Sequence, residues 1–309
     1  MEYVYYKDAK GNFGDDLNAW LWPKFFGPHD PGADTAFVGI GSILCHNSPL
    51  FQPLAGKRKI VFGTGVRLTY KTFSFNDTWD VRFLRGPLSA AYFNHQHEHI
   101  ADAAYALGLT ADFERLRHTP KKYKISVIPY FRSLDYVNWP AICRQLGFHF
   151  ISPGAEKGIE HTLEEIAASE LVIAEAMHGA IIADILRVPW SRFVLSTPVT
   201  EGSGVSGFKW MDWQQSVQQV RTDTTHIKLF RKSFLHGWLK NLSGNRVNAE
   251  FLVRNVLKNE LMEQLRGIRH FALSEDSVLD SINNRMHEKV AELKEQINKV
   301  AYDRGTTIV

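Results

Sequence analysis

The sequence predicts an α/β protein with two Rossmann-like domains that face a cleft, followed by a helical C-terminal tail. Short apolar runs alternate with patterns of helical period through both halves of the chain, as is typical of parallel sheets covered by helices on both faces. A polar, proline-bearing segment at residues 117–122 separates the halves, and the strand pattern ends after Trp213. We therefore expect domains at residues 1–118 and 119–215, and a helical extension at residues 216–309.

In the first half, four apolar runs are predicted to be strands. They occupy residues 3–6, 36–40, 59–62 and 80–84. Apolar residues recur at helical spacing over residues 15–26, which indicates an amphipathic helix after the first strand. Pro87 follows Gly86, and a proline fits the first turn of a helix because no hydrogen bond is required of its nitrogen there.

The second half alternates more regularly between strands and helices. Strands are predicted at residues 124–128, 148–151, 171–174 and 193–195, and helices at residues 135–146 and 178–186. Gly147 is placed to end the first of these helices. Thr162 and Glu165 form a capping-box pattern for a further helix. From residue 226 to residue 303 the pattern predicts helices.

The composition indicates a folded protein that does not bind nucleic acid through bulk charge. Among its 309 residues, 36 Lys and Arg against 33 Asp and Glu leave a net charge of only +3. Cys45 and Cys143 show neither zinc-site nor disulfide spacing. The opening lacks the pattern of a secretory signal, and no window approaches the ~20 apolar residues of a membrane-spanning helix. We therefore expect a cytoplasmic protein.

Two glycine loops follow predicted strands and are candidate anion sites. Gly41 and Ser42 end the first GxG loop, and Thr64 and Gly65 lie in the second. Glycines at the carboxyl ends of parallel strands let backbone N–H groups approach an anionic ligand. Neither loop has the third glycine of a dinucleotide-binding pattern. Tight turns that only let a strand and a helix pack are an equal alternative.

Two arginines lie near these loops. Arg85 leaves a predicted strand just before a helix, so its guanidinium is a candidate for bidentate binding of a phosphate or a carboxylate. Arg67 follows the second glycine loop and is expected to point into the same space. The alternative is that both side chains are solvated at the surface.

His178 and Glu175 lie at a predicted strand-to-helix turn. Histidine exchanges its proton readily near neutral pH, which suits general acid–base catalysis. The alternative is a histidine that only packs in an apolar run. His95, His97 and His99 are the nearest approach to a metal-ligand set, but they lie in a predicted polar loop, so no metal site is expected.

Seven segments occur in the order seen in one enzyme family. They are NFGDDLN at residues 12–18, GIGSIL at 39–44, FGTG at 62–65, RFLRGPLS at 82–89, ADAA at 101–104, EAMHGAIIADILRVP at 175–189 and FKW at 208–210. On these segments, residues 11–213 resemble the polysaccharide pyruvyl transferases, in particular the branch that acts on acidic exopolysaccharides such as succinoglycan. The resemblance implies a fold similar to that of GT-B glycosyltransferases, with phosphoenolpyruvate and an acceptor sugar meeting in the cleft.

The resemblance also implies site residues. His178 matches the histidine of the family's HG pattern, and Arg85 matches its RGP arginine. Asp15, Asp102 and Lys209 lie in matching segments and are expected to contact substrate.

The chain departs from the family's pattern at two positions. Many members have an arginine two places before the histidine, where this chain has Ala176, and a histidine is common where it has Tyr130. Arg132 is expected to supply part of the missing positive charge in binding the donor.

The implied reaction transfers pyruvate from phosphoenolpyruvate to a sugar of a lipid-linked polysaccharide repeat unit, forming a ketal and releasing phosphate. Arginines would hold the anionic groups, His178 would move protons, and Glu175 would orient His178 or take a proton from the acceptor. Phosphoenolpyruvate is then a co-substrate, and no cofactor is expected. One alternative is a nucleotide-sugar glycosyltransferase of similar architecture, and another is a non-catalytic protein of glycan assembly.

Two features of the predicted tail suggest partners. Residues 228–240 mix basic and aromatic side chains, which suits peripheral contact with the anionic inner face of the plasma membrane or packing of the apolar side chains on the catalytic domains. An apolar stripe at spacings of three and four follows, consistent with a homo-oligomer contact or with packing on the chain's own domain. Its residues are Ile282, Met286, Val290, Leu293, Ile297 and Val300.

Overall fold

Two parallel β-sheets organise the protein in the computed structural model, which describes residues 1–219, 222–227 and 249–303. The first sheet has the strand order β1-β2-β3-β4 and every pair is parallel. Its strands are β1 (Glu2–Val4), β2 (Thr35–Val38), β3 (Arg58–Phe62) and β4 (Trp79–Phe83).

The second sheet has the order β6-β5-β7-β8-β9 and is also parallel throughout. Its strands are β5 (Tyr123–Ile128), β6 (His149–Phe150), β7 (Ser169–Ala174), β8 (Trp190–Val194) and β9 (Thr224–His226). The predicted fold class, two parallel α/β units with a helical C-terminal region, is thus confirmed. β9 was not expected, because its three residues carry no apolar pattern.

Ten α-helices flank the sheets within the described residues. They are α1 (Phe13–Leu21), α2 (Pro23–Phe26), α3 (Pro87–Tyr92), α4 (Ala111–Arg117), α5 (Trp139–Leu146), α6 (Ile159–Ala167), α7 (Met177–Ile185), α8 (Ser203–Ser216), α9 (Ala249–Arg266) and α10 (Asp276–Asp303). Among them, none combines the length and hydropathy that crossing a bilayer requires.

Three predicted helix boundaries are corrected. The helix predicted over residues 15–26 is two helices, because Pro23 has no N–H to continue α1 and begins α2 instead. α5 begins only at Trp139, where the Asn138 side chain accepts from Ala141 N at 3.2 Å. Thr162 is not a cap, because α6 begins at Ile159 and buries Thr162 within it.

The C-terminal helices pack onto both units of the chain. Leu261, Met262 and Leu265 of α9 join the apolar core beside α5. α10 returns to the first unit, where it contacts α2 and the 3-10 helix Ala103–Leu109. Residues 228–240, with their basic and aromatic side chains, lie outside the described residues.

The apolar stripe of α10 is therefore internal to the chain. Ile282, Met286, Val290 and Leu293 are buried, and Ile297 packs against the same core. The side chain of Val300 lies outside the described part. Of the two alternatives for this stripe, packing on the chain's own domain is the one that the structure supports.

Candidate active site

A cleft of about 730 Å³ lies where the carboxyl ends of strands from both sheets approach each other. This is the location at which open parallel sheets bind ligands. Its walls come from the segments after β1, β2 and β3, from the start of α1, from the segments after β5 and β7, and from α8. The backbone bond from Phe13 N to Pro153 O, 2.8 Å long, ties the two walls together at the start of α1.

Two cations without carboxylate partners line this cleft. Arg67 and Arg132 are exposed, and neither forms an ion pair with any described residue. Arg132 instead packs its guanidinium over the Phe131 ring at 5.4 Å from the ring centroid. Unpaired guanidinium groups in a concave site favour an anionic ligand.

His178 lies in the cleft at the first turn of α7, and its nearest carboxylate is Asp102. The Asp102 Oδ1 atom is 3.6 Å from Nε2 of His178, and Asp102 is fully buried. Oδ1 also accepts from Ala104 N at 3.0 Å, whereas Oδ2 and His178 Nε2 have no hydrogen-bond partner among the described residues. Asp102 therefore stands behind the histidine and does not line the cleft.

Gly14 explains how α1 comes so close to His178. A Cβ atom at this position would overlap the imidazole ring at Nδ1. Because glycine has no side chain, the first turn of α1 can pack directly on the histidine, and it brings Asp15 to the cleft wall.

Asp15 lines the cleft in an environment that disfavours its charge. Burial raises the pKa of the Asp15 carboxyl to about 7, and the negative charges of Asp16 and Glu201 act in the same direction. The positive groups of His178 and Lys209 oppose this rise without cancelling it. This environment therefore favours the protonated form of Asp15 relative to an ordinary carboxyl group.

Lys209 lines the cleft in an ion pair with Glu201. The Lys209 Nζ atom lies 2.6 Å from Glu201 Oε1, and the two side chains are 12% and 8% exposed. Glu201 Oε2 has no hydrogen-bond partner among the described residues. Tyr130 completes this wall, with Lys209 Nζ 5.6 Å from its ring centroid. Burial raises the pKa of Tyr130, so its phenol stays protonated.

Arg85 is not in the cleft, which corrects the expectation that it holds substrate. It is fully buried, and its Nε donates to Asp212 Oδ2 at 3.0 Å. Its Nη1 donates to Ser42 Oγ and to Gly41 O. Asp212 also accepts from the backbone N and Oγ of Ser89. Arg85 therefore connects α8 and the start of α3 with the first glycine loop.

Of the two glycine loops, the first lines the cleft and the second supports the first. Gly41 and Ser42 line the cleft, and Gly41 has a φ of +135°, which favours glycine. Gly65 N and Thr64 Oγ1 donate to Gly41 O at 2.9 and 3.1 Å. Thr64 and Gly65 therefore position the first loop and do not reach the cleft. A Cβ at Gly65 would overlap the Arg85 guanidinium, so this glycine is required for packing.

Glu175 is also a supporting residue, contrary to the expectation that it acts with His178. It is 2% exposed, and its Oε1 accepts from Leu195 N, Ser196 N and Thr197 N at 2.7–3.2 Å. Its Oε2 accepts from Tyr130 N at 3.1 Å and from Ser133 Oγ. No hydrogen bond or ion pair joins Glu175 to His178 in the described part of the chain. Glu175 therefore joins the segments that follow β5 and β8.

Sequence reasoning missed Glu201 as a site residue. It lies in a π-helical turn, Pro198–Gly202, and such turns are common at functional sites. Nothing in the pattern of the sequence marks the turn, because Glu201 and Lys209 are eight residues apart and lack the spacing of three or four that indicates a helical ion pair. Among the described residues, no group of three potential metal ligands is found, including the segment with His95, His97 and His99.

Comparison with known proteins identifies the family. A model of the polysaccharide pyruvyl transferases matches residues 4–194. The succinoglycan biosynthesis protein ExoV of Rhizobium meliloti (strain 1021) is 38% identical over 220 residues, which cover 70% of this chain and 65% of ExoV. The chain thus matches just under two thirds of the length of that relative.

Two structures of the wall teichoic acid polymerase TagF show only distant similarity. They have TM-scores of 0.35 and 0.32 at 14% and 11% identity, and the matches cover 84% of this chain and 73% and 74% of the TagF chains. Because the family model spans most of both sheets and the cleft residues that they carry, the chain belongs to the polysaccharide pyruvyl transferase family.

Proposed function

We propose that the protein transfers pyruvate from phosphoenolpyruvate to a sugar of a polysaccharide repeat unit, forming a pyruvate ketal and releasing phosphate. The observation that carries this proposal is the cleft itself, in which Arg67, Arg132 and His178 meet without a carboxylate partner for either arginine among the described residues. Membership of the pyruvyl transferase family supports it.

The charges of the cleft suit a donor with two anionic groups. Phosphoenolpyruvate carries a carboxylate and a phosphate, and Arg67 and Arg132 offer one guanidinium for each. The reaction also moves protons at neutral pH. His178, with Asp102 behind it, offers an imidazole whose charged form stabilises the phosphate as it leaves. No cofactor is required by this chemistry.

A second group of polar side chains in the cleft suits a sugar. Glu201, Lys209 and the Tyr130 phenol offer hydrogen-bond acceptors and donors on one face, and sugar hydroxyls can use both. The repeat unit that carries this sugar is proposed to be lipid-linked. On that proposal the protein works in the cytoplasm at the inner face of the plasma membrane, with residues 228–240 as the candidate contact.

Product analysis tests the proposal. The purified protein is incubated with phosphoenolpyruvate and a panel of lipid-linked oligosaccharides. We expect stoichiometric phosphate release and a product whose mass corresponds to addition of one pyruvate ketal. Mild acid should hydrolyse the ketal and restore the mass of the acceptor. An acceptor whose hydroxyl groups are blocked serves as the control and should release no phosphate.

Thermal protection separates this function from its rivals, because a ligand that binds the native state alone at 100 times its Kd stabilises that state by about 2.7 kcal/mol. We expect phosphoenolpyruvate to raise the melting temperature and UDP- or GDP-sugars to leave it unchanged. Protection by a nucleotide sugar and not by phosphoenolpyruvate would instead indicate a glycosyltransferase. If no pair of donor and acceptor leads to phosphate release, the protein would instead be a non-catalytic assembly protein.

A further inference from the structure

Asp15 occupies a distinctive place in the cleft. It lies in the first turn of α1, and its Oδ2 accepts a hydrogen bond from the Asn12 side chain. Its Oδ1 lies close to Gly41. If Gly41 carried a Cβ atom, that atom would be 3.3 Å from Oδ1. One carboxyl oxygen is thus held by the protein, while Oδ1 forms no hydrogen bond with any described residue.

Charged and titratable groups face Asp15 from every side of the cleft. His178 comes from α7, Lys209 from α8 and Glu201 from the π-helical turn. Asp16 is its neighbour on α1. The phenols of Tyr5 and Tyr130 lie in the segments after β1 and β5, and the charge of Asp15 contributes to raising the pKa of each. Asp15 is therefore the carboxyl group at the centre of the polar groups of the site.

His178 is poorly placed to protonate carbon itself. Its Nε2 atom faces Asp102 from the protein side and is buried. Its Nδ1 atom lies against Gly14, where a Cβ would overlap it. With Nε2 turned to Asp102 and Nδ1 packed near Gly14, the imidazole is better suited to contributing positive charge than to delivering a proton to carbon.

We propose that Asp15 is the acid that protonates the methylene carbon of phosphoenolpyruvate. This assignment rests on the pyruvyl transfer proposed above and names the residue that starts it. The carboxyl group lies in the wall of the cleft that His178, Arg67 and Arg132 also line, where the donor would bind. Burial raises its pKa to about 7, so it can hold a proton near neutral pH.

The proton balance closes within the site. The double-bond electrons of the donor form a C–H bond with the proton of Asp15, which leaves the central carbon cationic and Asp15 ionised. A sugar hydroxyl attacks this carbon and gives its proton back to Asp15. The bond between carbon and the phosphate oxygen then breaks, and a second hydroxyl closes the ketal while its proton leaves with the phosphate. Asp15 ends protonated, with no outside proton required.

The test compares Asp15→Asn with Asp112→Asn as a matched control. Asp112 also lies in the first turn of a helix, α4, but it does not line the cleft, and it pairs with Lys24 at 3.0 Å. We expect Asp15→Asn to lower kcat by ~10²–10⁴-fold while phosphoenolpyruvate still protects the variant thermally. Asp112→Asn should keep the wild-type rate, and Asp15→Glu should recover part of the lost activity.

The pH profile supplies a readout that a structural role would not change. Because the acid form of Asp15 is lost as the pH rises through its pKa of about 7, wild-type kcat/KM for phosphoenolpyruvate should fall above that pH. The fall should be weaker in the residual activity of Asp15→Asn, because the contribution of Asp15 is removed, whereas His178→Gln should be slow but retain that contribution. Asp15→Ser, which is smaller, is the second variant if Asp15→Asn does not fold.

Three results would overturn the assignment. They are near-normal turnover of Asp15→Asn, loss of the basic limb in His178→Gln but not in Asp15→Asn, and a loss of donor protection in Asp15→Asn as large as its loss of rate. If the wild-type protein itself releases no phosphate from any acceptor mixture, pyruvyl transfer fails and the assignment falls with it. Phosphate release by the wild-type protein is therefore measured before any variant is compared with it.

Discussion

Asp102 Oδ1 lies 3.6 Å from Nε2 of His178, although 76 positions separate the two residues along the chain. Asp102 precedes the 3-10 helix Ala103–Leu109 of the first unit, and His178 begins α7 of the second. The contact therefore crosses between the halves of the chain. The buried carboxyl group of Asp102 therefore faces the imidazole ring from the side away from the cleft.

Replacing Asp102 by Asn should lower turnover more than it lowers stability. The Asn side chain can still accept from Ala104 N, so the cap of the 3-10 helix is kept while the charge facing His178 is lost. We expect kcat to fall by roughly 10- to 100-fold with little change in KM for phosphoenolpyruvate. Steady-state kinetics and a melting curve check this. An unchanged kcat would mean that Asp102 does not contribute to the function of His178.

Arg67 and Arg132 are predicted to determine affinity for the donor. A charge-assisted hydrogen bond contributes about 1.5–3 kcal/mol, so Arg67→Ala and Arg132→Ala should each weaken phosphoenolpyruvate binding by roughly 10- to 100-fold. Arg144, exposed near the end of α5 and outside the cleft, is the control for loss of one positive charge. Calorimetric titration measures all three variants. Equal affinity in Arg144→Ala and Arg132→Ala would contradict the prediction.

Arg85 should behave as a structural residue. Arg85→Met removes the partner of Asp212, a carboxylate that is fully buried, and breaking one side of a buried ion pair costs about 3–5 kcal/mol. We therefore expect a large loss in the free energy of unfolding, measured with urea. Arg85→Met combined with Asp212→Leu should recover part of that loss. Full stability of the single variant would mean that the pair contributes nothing.

Asp15 should make stability depend on pH. Burial raises the pKa of Asp15 to about 7 in the folded protein, and a carboxyl with a raised pKa contributes stability at low pH that is lost as the pH rises toward the folded value. Relative to Asp15→Asn, the wild-type protein should lose up to a few kcal/mol between about pH 4 and pH 7, and change little above that. Unfolding of both proteins across this range measures the difference, and parallel curves would contradict it.

The fold could be predicted because the signals for its elements are local. The buried strand at residues 171–174 and the small residues after it predicted a strand-to-helix turn at His178, and the structure places α7 at Met177. Gly147 ends α5 with a φ of +70° as expected. β9 was not predicted because Thr224–His226 has no hydrophobic pattern of its own. Pairing with β8 is what makes it a strand.

The division of the site residues could not be predicted, because it depends on distant partners. Arg85 lies outside the cleft because it pairs with the buried Asp212, 127 positions away along the chain. Glu175 is occupied by the backbone donors of the segment at Leu195, Ser196 and Thr197. No local pattern in the sequence reveals either contact. The sequence identified residues near the site, and long-range packing decides which of them line it.

The return of α10 to the first unit affects how the chain acquires its structure during synthesis. Met286 and Leu293 fill apolar space beside residues that leave the ribosome long before them. A nascent chain that ends at residue 118 therefore exposes a surface that its own later segment covers. The apolar packing of the amino-terminal unit is therefore complete only after residue 293 has been synthesised.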